Sequence, residues 1–469
     1  MATDRSAFLA VPAAAALLLW PAAWNGYPIV FADTGTYLTQ AIQRYAGWDR
    51  PVFYSLFMLP LHLTVSVWPV VAAQALLTAW VLWLVCRTLL PDPSAIAFLG
   101  GIAALSVCTW LPWIVSELMP DVFTPLLVLA LCLLAGVQGS LTLYERLGLA
   151  ALATFMIASQ QSSLPLALVL LVVLASLPWH AWSGPPTAAR AGSPPPSRGE
   201  GRPHHESRLR PNLRPRCWQL MILPPALALL GLSAVNLAAY GRFSISPFGN
   251  VFLLARVIYD GPGMTVLRRD CPTETWLLCP FLDRFPATSD DFLWTAASPL
   301  RDAGGPKAVS RDAGAIIQAA LTTDPMRQAR ATLANMLEQV SRFGSGDGLT
   351  PWPAEVSPAI EREFPAREWA AYSAARQQTG SLSVPPLLAR LHFLAALTGL
   401  LCCVLLLPVA VHRRALCSGF LLAVLLVLPL GAAITGSLSA PHDRYQARIM
   451  WLPPFIAAVS LAALRRPRA

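Results

Sequence analysis

The sequence predicts an all-α polytopic membrane protein with about ten transmembrane helices and a mainly helical extracytoplasmic domain between the seventh and the eighth. Of its 469 residues, 55% are hydrophobic and only 13% are charged, and the mean hydropathy is +0.53. Several apolar runs reach the roughly 20 residues that a helix needs to cross a bilayer. Because these runs are continuously apolar rather than alternating, a closed β-barrel is excluded.

The net charge of +9 is concentrated in two segments, residues 183–217 and the last five residues. The first holds seven Arg against two Glu, and the second ends the chain with three Arg. This distribution is typical of membrane topology signals, and no basic face on a folded module indicates a nucleic-acid partner. Residues 183–217 are also rich in Pro, Gly and Ser, which predicts a disordered cytoplasmic linker.

The N-terminal membrane region, residues 1–182, is predicted to contain six spans. Trp20, Pro21 and Trp24 crowd the end of the first span, which favours an uncleaved signal-anchor over a cleaved signal peptide. Residues 52–66 are interpreted as an interfacial or re-entrant helix, because counting them as a crossing would place the Arg-bearing loops outside. The predicted spans of this region are 8–24, 68–90, 95–115, 122–138, 147–159 and 164–180.

The rest of the chain is divided into a seventh span at 218–240, a soluble domain at 241–386 and a C-terminal membrane region at 387–469. The C-terminal region holds three spans, 389–411, 416–436 and 449–464. With ten crossings, both termini are predicted to be cytoplasmic in a multi-pass protein of the inner (plasma) membrane.

The segment 241–386 differs from its surroundings because it holds 15 acidic and 14 basic residues. Its stretch 312–343 is amphipathic at helical spacing and is interrupted by Asp324-Pro325. In an oxidising compartment Cys271 and Cys279 are candidates for a short-loop disulfide, and two free thiols are the alternative.

Five carboxylates remain once the soluble domain and the cytoplasmic segments are set aside: Asp33, Asp49, Glu117, Asp121 and Asp443. The predicted topology places all five at the outer ends of helices, where carboxylates near hydrocarbon are costly and are usually functional or paired. We therefore predict a site that includes Asp33 with Glu117 or Asp121. The alternatives are an N-cap role for Asp121 and a local ion pair between Asp49 and Arg50.

The last outer loop concentrates His442, Asp443, Arg444, Tyr445 and Arg448 between two apolar spans. Two Arg on the outer side oppose the positive-inside trend, and guanidinium groups bind phosphate with bidentate geometry. Alternatively, they neutralise loop carboxylates or meet lipid headgroups. The short polar turn at 159–163 either lines the same cavity or is a simple turn.

This layout resembles the GT-C superfamily of polytopic glycosyltransferases, which use polyprenyl-phosphate-linked sugars. The likeness consists of the acidic first loop with Asp33, the RPVFYSLF segment at 50–57, the acidic loop with Glu117 and Asp121, and the late Arg444-Tyr445 pair.

The resemblance implies that Asp33 acts as general base on the acceptor and that Glu117 or Asp121 orients the sugar or the base. It also implies that the donor phosphate is held by basic and polar groups of the last loop, namely Arg444, Arg448, Tyr445 and His442. No cofactor is assigned. A paired-acid motif is absent around Asp33, so the sequence does not support a divalent metal.

Two other classes of function stay open on the sequence. A transporter or lipid flippase would place ionisable residues near the bilayer midplane and often has repeated halves, whereas the predicted spans are nearly free of charge in their middles. A non-catalytic membrane scaffold would use the 241–386 domain to bind a partner. The enzyme hypothesis predicts three kinds of partner: the membrane lipids, the sugar donor, and an acceptor that the sequence does not identify.

Overall fold

A computed structural model describes residues 2–136, 140–176 and 214–465 of the chain. Within these ranges the backbone is helical, without a β-strand, and the only extended pairing is an isolated bridge between Ile29 and Glu117. The predicted all-α class is therefore confirmed. Most of the linker predicted at 183–217 lies outside the described residues, but its end at 214–217 already forms part of a helix.

The described part of the N-terminal region, residues 2–136 and 140–176, contains ten helices and one short 3-10 turn, Pro120–Val122. The helices are α1 (Ala2–Leu17), α2 (Trp20–Asn25), α3 (Thr34–Ile42), α4 (Phe53–His62), α5 (Trp68–Leu89), α6 (Ala95–Cys108), α7 (Leu111–Val115), α8 (Phe123–Gly136), α9 (Leu143–Ser159) and α10 (Ser163–Ser176). The predicted interfacial segment corresponds to α4, which has only 10 residues and contains Pro60.

The second half begins with a long helix, α11 (Arg214–Tyr240), and continues through the segment predicted to be soluble. That segment contains a 3-10 helix at Cys279–Arg284 and eight α-helices: α12 (Gly249–Tyr259), α13 (Pro262–Asp270), α14 (Ser289–Trp294), α15 (Pro299–Asp302), α16 (Gly305–Thr323), α17 (Pro325–Ser341), α18 (Pro353–Glu363) and α19 (Ala366–Ala374). The chain ends with α20 (Pro386–His412), α21 (Cys417–Leu438), α22 (Asp443–Ala447) and α23 (Leu452–Arg465). The predicted break at Asp324 separates α16 from α17, and the Asp324 side chain caps α17.

Five helices in the described part of the chain are long and apolar enough to cross a membrane, which indicates a membrane protein. They are Trp68–Leu89, Leu220–Tyr240, Pro386–His412, Cys417–Leu438 and the stretch Asp443–Arg465, which contains α22 and α23. The other five predicted spans coincide with α1, α6, α8, α9 and α10, whose lengths lie between 14 and 17 residues.

The segment 241–386 is divided between two hydrophobic cores. Residues 248–320 form a core of their own, whose loop at Cys271 and Cys279 contains a disulfide with an Sγ–Sγ distance of 2.05 Å. By contrast, apolar residues between 343 and 384 pack into the main core formed by the apolar helices. The second half of this segment is therefore part of the main body rather than of a separate domain.

The contact between α3 and α18 joins this second half to the loop that carries Asp33. Gly35 of α3 packs against the backbone of Glu355 so closely that a Cβ atom would overlap the Glu355 carbonyl group. The buried Gln377 amide adds to the junction, because it donates to the Val30 carbonyl at 2.7 Å and accepts from the Val30 N–H at 3.0 Å. These contacts fix the loop in front of α3.

Candidate functional site

The last loop folds into the short helix α22, which carries the two Arg side chains of the site. Arg444 lies in its first turn and Arg448 follows its last residue, so the two side chains stand four residues apart on one face. The backbone N–H of Arg444 donates to Asp347 at 3.0 Å, which ties the loop to the segment before α18. The sequence placed both Arg in one loop, and the helical turn directs both to the same place.

Arg444 connects the first loop with the second acidic loop. Its guanidinium lies 3.9 Å from the Asp33 carboxylate and 3.7 Å from the Asp121 carboxylate. It also stacks over the ring of Phe31, 3.8 Å from the ring centre, which holds the side chain in place. The structure therefore brings together residues from three distant segments.

Asp121 lies at the centre of a buried polar chain. It forms a hydrogen-bonded ion pair with Arg448 and accepts a hydrogen bond from the Gln160 amide at 3.0 Å. Gln160 is paired in turn with the Thr124 hydroxyl. The alternative that Asp121 serves as an N-cap is wrong, because its side chain makes these tertiary contacts and caps no helix.

Asp33 is paired with Arg50. The two side chains form an ion pair at 2.8 Å, and both are largely buried. The alternative was a local ion pair between Asp49 and Arg50. Instead, the Arg50 guanidinium donates to the Asp49 backbone carbonyl at 3.2 Å and pairs with the carboxylate of Asp33. Arg50 therefore belongs to the site, although its position next to Asp49 in the sequence suggested a different partner.

A cavity of about 500 Å³ is lined on its polar side by Asp33, Arg50, Gln160, Arg444 and Arg448. Asp121 does not line it but is bonded to two of these side chains, Arg448 and Gln160. The polar turn after α9 contributes Gln160 and its neighbours, so the cavity interpretation of this turn is correct and the simple-turn interpretation is not. The cavity is also lined by apolar side chains from α10, α12 and α21: Leu164, Leu168, Leu253, Ile434 and Leu438. Leu168 and Leu438 of this apolar set are also about half exposed.

The carboxylates of Glu117 and Asp121 differ in their electrostatic surroundings. Burial raises the pKa of Glu117 well above its ordinary range, and the nearby Asp121 charge raises it further. Asp121 has two guanidinium groups within 4 Å and is held as a carboxylate. Two neighbouring carboxyl groups with opposite protonation preferences are typical of sites that separate a proton donor from an anion.

Three buried polar atoms of this cluster lack a hydrogen-bond partner: Asp121 Oδ2, Arg444 Nη1 and Arg448 Nε. Leaving such an atom unsatisfied costs about 1–3 kcal/mol, and more for charged groups. Arg444 Nη1 and Asp121 Oδ2 lie 3.7 Å apart, so these two charged atoms face each other beyond hydrogen-bond distance. Arg448 Nε is the other guanidinium donor of the set, and an anionic oxygen would satisfy it.

Of the other predicted residues in the last loop, one lines the cavity and two do not. Tyr445 lines the cavity, with Arg448 stacked 5.4 Å from its ring centre. The His442 imidazole instead faces Asp290 of the second core at 3.0 Å, and Asp443 accepts the Gly344 N–H at 2.7 Å. Neither lines the cavity, and the Cys271–Cys279 disulfide lies in the second core.

Sequence reasoning missed Arg50 and Phe31 as parts of this site. Arg50 is the first residue of the RPVFYSLF segment and supplies the partner of Asp33. Phe31 had no signal beyond its position two residues before Asp33. Among the described residues, no group of three or more His, Cys, Asp or Glu side chains is placed to hold a metal ion.

No protein-family model, curated protein or solved structure matches this chain.

Proposed function

We propose that the protein is a membrane glycosyltransferase, which moves a sugar from a polyprenyl-phosphate-linked donor to an acceptor at the outer face of the membrane. In this proposal the chain crosses the plasma membrane ten times, both termini are cytoplasmic, and the cavity opens outside. The observation that carries the proposal is Arg444, which lies within 4 Å of both Asp33 and Asp121 at the wall of a cavity that is lined by both polar and apolar side chains.

The cavity has the two-part chemistry that such a donor requires. Its cationic end is lined by two guanidinium-bearing side chains, Arg444 and Arg448, which would hold the phosphate. Its apolar wall includes the half-exposed Leu168 and Leu438, which suits contact with a polyprenyl chain.

The reaction would be a single displacement at the anomeric carbon. The acceptor oxygen forms a bond to that carbon while the bond from the carbon to the phosphate oxygen breaks, and the electron pair leaves with the phosphate. Asp33, oriented by Arg50, takes the acceptor proton. Arg444 and Arg448 stabilise the negative charge on the departing lipid phosphate.

Asp33→Asn tests the proposal in membranes that contain the full-length protein. Wild-type membranes are supplied with a panel of radiolabelled polyprenyl-phosphate hexoses and pentoses and with cell-envelope material as acceptor. We expect transfer by the variant to fall about 100-fold or more, because general-base catalysis contributes roughly 10²–10⁴-fold.

Asp443→Asn is the matched control, since it makes the same chemical change in the last loop on a side chain outside the cavity. Transfer should stay within about twofold of wild type, because a surface polar change away from the site has a small effect. Undiminished transfer by a folded Asp33→Asn variant would remove Asp33 as the base. Labelled donor that crosses the bilayer without being transferred would instead favour a lipid flippase.

A further inference from the structure

Helix α17 is amphipathic with its polar face buried and its apolar face exposed. Met326, Leu333, Leu337 and Val340 are 63%, 54%, 59% and 41% exposed. Their spacing of 7, 4 and 3 residues places all four on one side of the helix. A helix at a protein surface in water normally shows the opposite arrangement.

Hydrogen bonds made by amide side chains on the buried face of α17 fix the orientation of this helix. Gln328 and Asn335 both donate to the Asp260 carboxylate, at 2.6 and 3.0 Å. Gln339 is fully buried and exchanges two hydrogen bonds with the His442 backbone, at 2.8 and 2.9 Å. Rotating the apolar stripe inward would break all of these bonds.

We propose that the exposed stripe of α17, residues Met326, Leu333, Leu337 and Val340, lies in the membrane surface at the end of the bundle where the cavity is. Two contacts connect α17 with membrane-crossing helices. It packs along α21, where the Asn335 backbone lies against Gly436. Just after α17, Phe343 stacks on Phe393 of α20, with ring centres 5.2 Å apart.

The surface of α20 around this contact is apolar and exposed. Phe393 is 48% exposed, and it is followed on the same helix by the exposed Leu394, Leu397 and Leu401. The apolar stripe of α17 therefore continues the surface that α20 presents to lipid. Arg330 is exposed beside the stripe, four residues after Met326 and three before Leu333, where interfacial helices typically carry cations at the level of the phosphate groups.

A photoactivatable lipid tests this proposal on the full-length protein. The protein is reconstituted in phosphatidylcholine nanodiscs that contain a phosphatidylcholine with a carbene precursor near the top of its acyl chain. Cleavage at Arg330 and Arg342 releases residues 331–342 as one peptide. We expect lipid adducts on this peptide at a yield similar to that on the α20 peptides.

The double variant Leu333→Gln, Leu337→Gln should lower the adduct yield on 331–342 by about threefold or more while α20 labels as before, because partitioning of such helices depends on buried apolar area. Leu277→Gln changes an exposed Leu in the segment of the second core and should leave both yields unchanged. Size-exclusion chromatography checks that each variant remains folded. An unlabelled 331–342 peptide beside a labelled α20 overturns the proposal, as does protection of the stripe by a second copy or another protein.

Discussion

At the scale of single residues, the site depends on which carboxyl group carries a charge. Glu117 has no ion pair with a cation within 4 Å among the described residues, whereas Asp121 is bonded to Arg448 and lies near Arg444. The neutral isostere of each side chain should therefore have a different effect.

Glu117→Gln should change the thermal stability of the purified protein little, because the amide resembles the protonated acid that the raised pKa favours. Asp121→Asn should cost about 3–5 kcal/mol, because it leaves Arg448 buried without its anion. Thermal unfolding of both variants in the same detergent measures the difference. Equal destabilisation by the two would contradict the assigned charge states.

Some residues of the site are predictable from the sequence, and others are not. The carboxylates at predicted outer helix ends and the late Arg pair could be selected from the predicted topology alone. The structure places Asp33, Arg444 and Arg448 around one cavity, with Asp121 within 4 Å of both Arg side chains. Arg50 could not be assigned in this way, because adjacency to Asp49 in the sequence does not bring two side chains together. Its partner is 17 residues away.

At the scale of secondary-structure elements, the packing of α3 against α18 holds the first loop in position. A Cβ atom on Gly35 would meet the Glu355 backbone, which cannot move aside as a flexible side chain can. Gly35→Ala should therefore separate the two helices and displace Asp33, which directly precedes α3.

We expect Gly35→Ala to destabilise the protein by about 1–3 kcal/mol, the usual cost of overpacking. Gly100→Ala in α6 is the matched control, since no atom lies within 4 Å of its added Cβ and Ala is the better helix former. Thermal unfolding of both variants gives the comparison. A Gly35→Ala variant as stable as Gly100→Ala would show that the α3–α18 contact is loose.

Element boundaries were more predictable than element orientation. Asp324-Pro325 ends one helix and begins the next as the sequence predicts, because the proline fits the first turn of a helix and the aspartate caps it. The direction in which α17 faces was not predictable. Periodicity shows that a helix has an apolar side, but only the tertiary contacts of Gln328, Asn335 and Gln339 show that this side faces outward.

At the scale of the whole molecule, the residues that the structure describes form two hydrophobic cores of different size and surroundings. The core of residues 248–320 is small and lacks the long apolar helices, whereas the main core includes them. Burial of apolar surface is the main stabilising contribution, so the smaller core should open first.

Hydrogen exchange of the full-length protein at increasing denaturant tests this difference. Amides of α12, α13 and α16 should lose protection together, and they should do so at a lower denaturant concentration than those of α21 and α23. Amides of α18 and α19 should follow the main core, because their apolar residues belong to it. Simultaneous loss of protection in both groups would indicate a single cooperative unit.

The composition of 241–386 does not show that the segment is divided between two cores. Its balanced charges predict one soluble domain, because composition is an average over the whole segment. Gln377 and Glu368 join its second half to the first loop and to the start of α5, through bonds that span more than 300 residues of sequence. Such long-range pairs leave no local pattern in the sequence.

The pair of Asp121 with Arg448 has a consequence for how the protein is made. The two residues are 327 positions apart, so the carboxylate is synthesised and reaches its helix end long before its counter-ion exists. Until the last loop emerges, Asp121 must stay in contact with water or carry a proton. A ribosomal product that stops before residue 444 lacks both Arg444 and Arg448. In such a product Asp121 has neither of the cations that neutralise it in the folded protein.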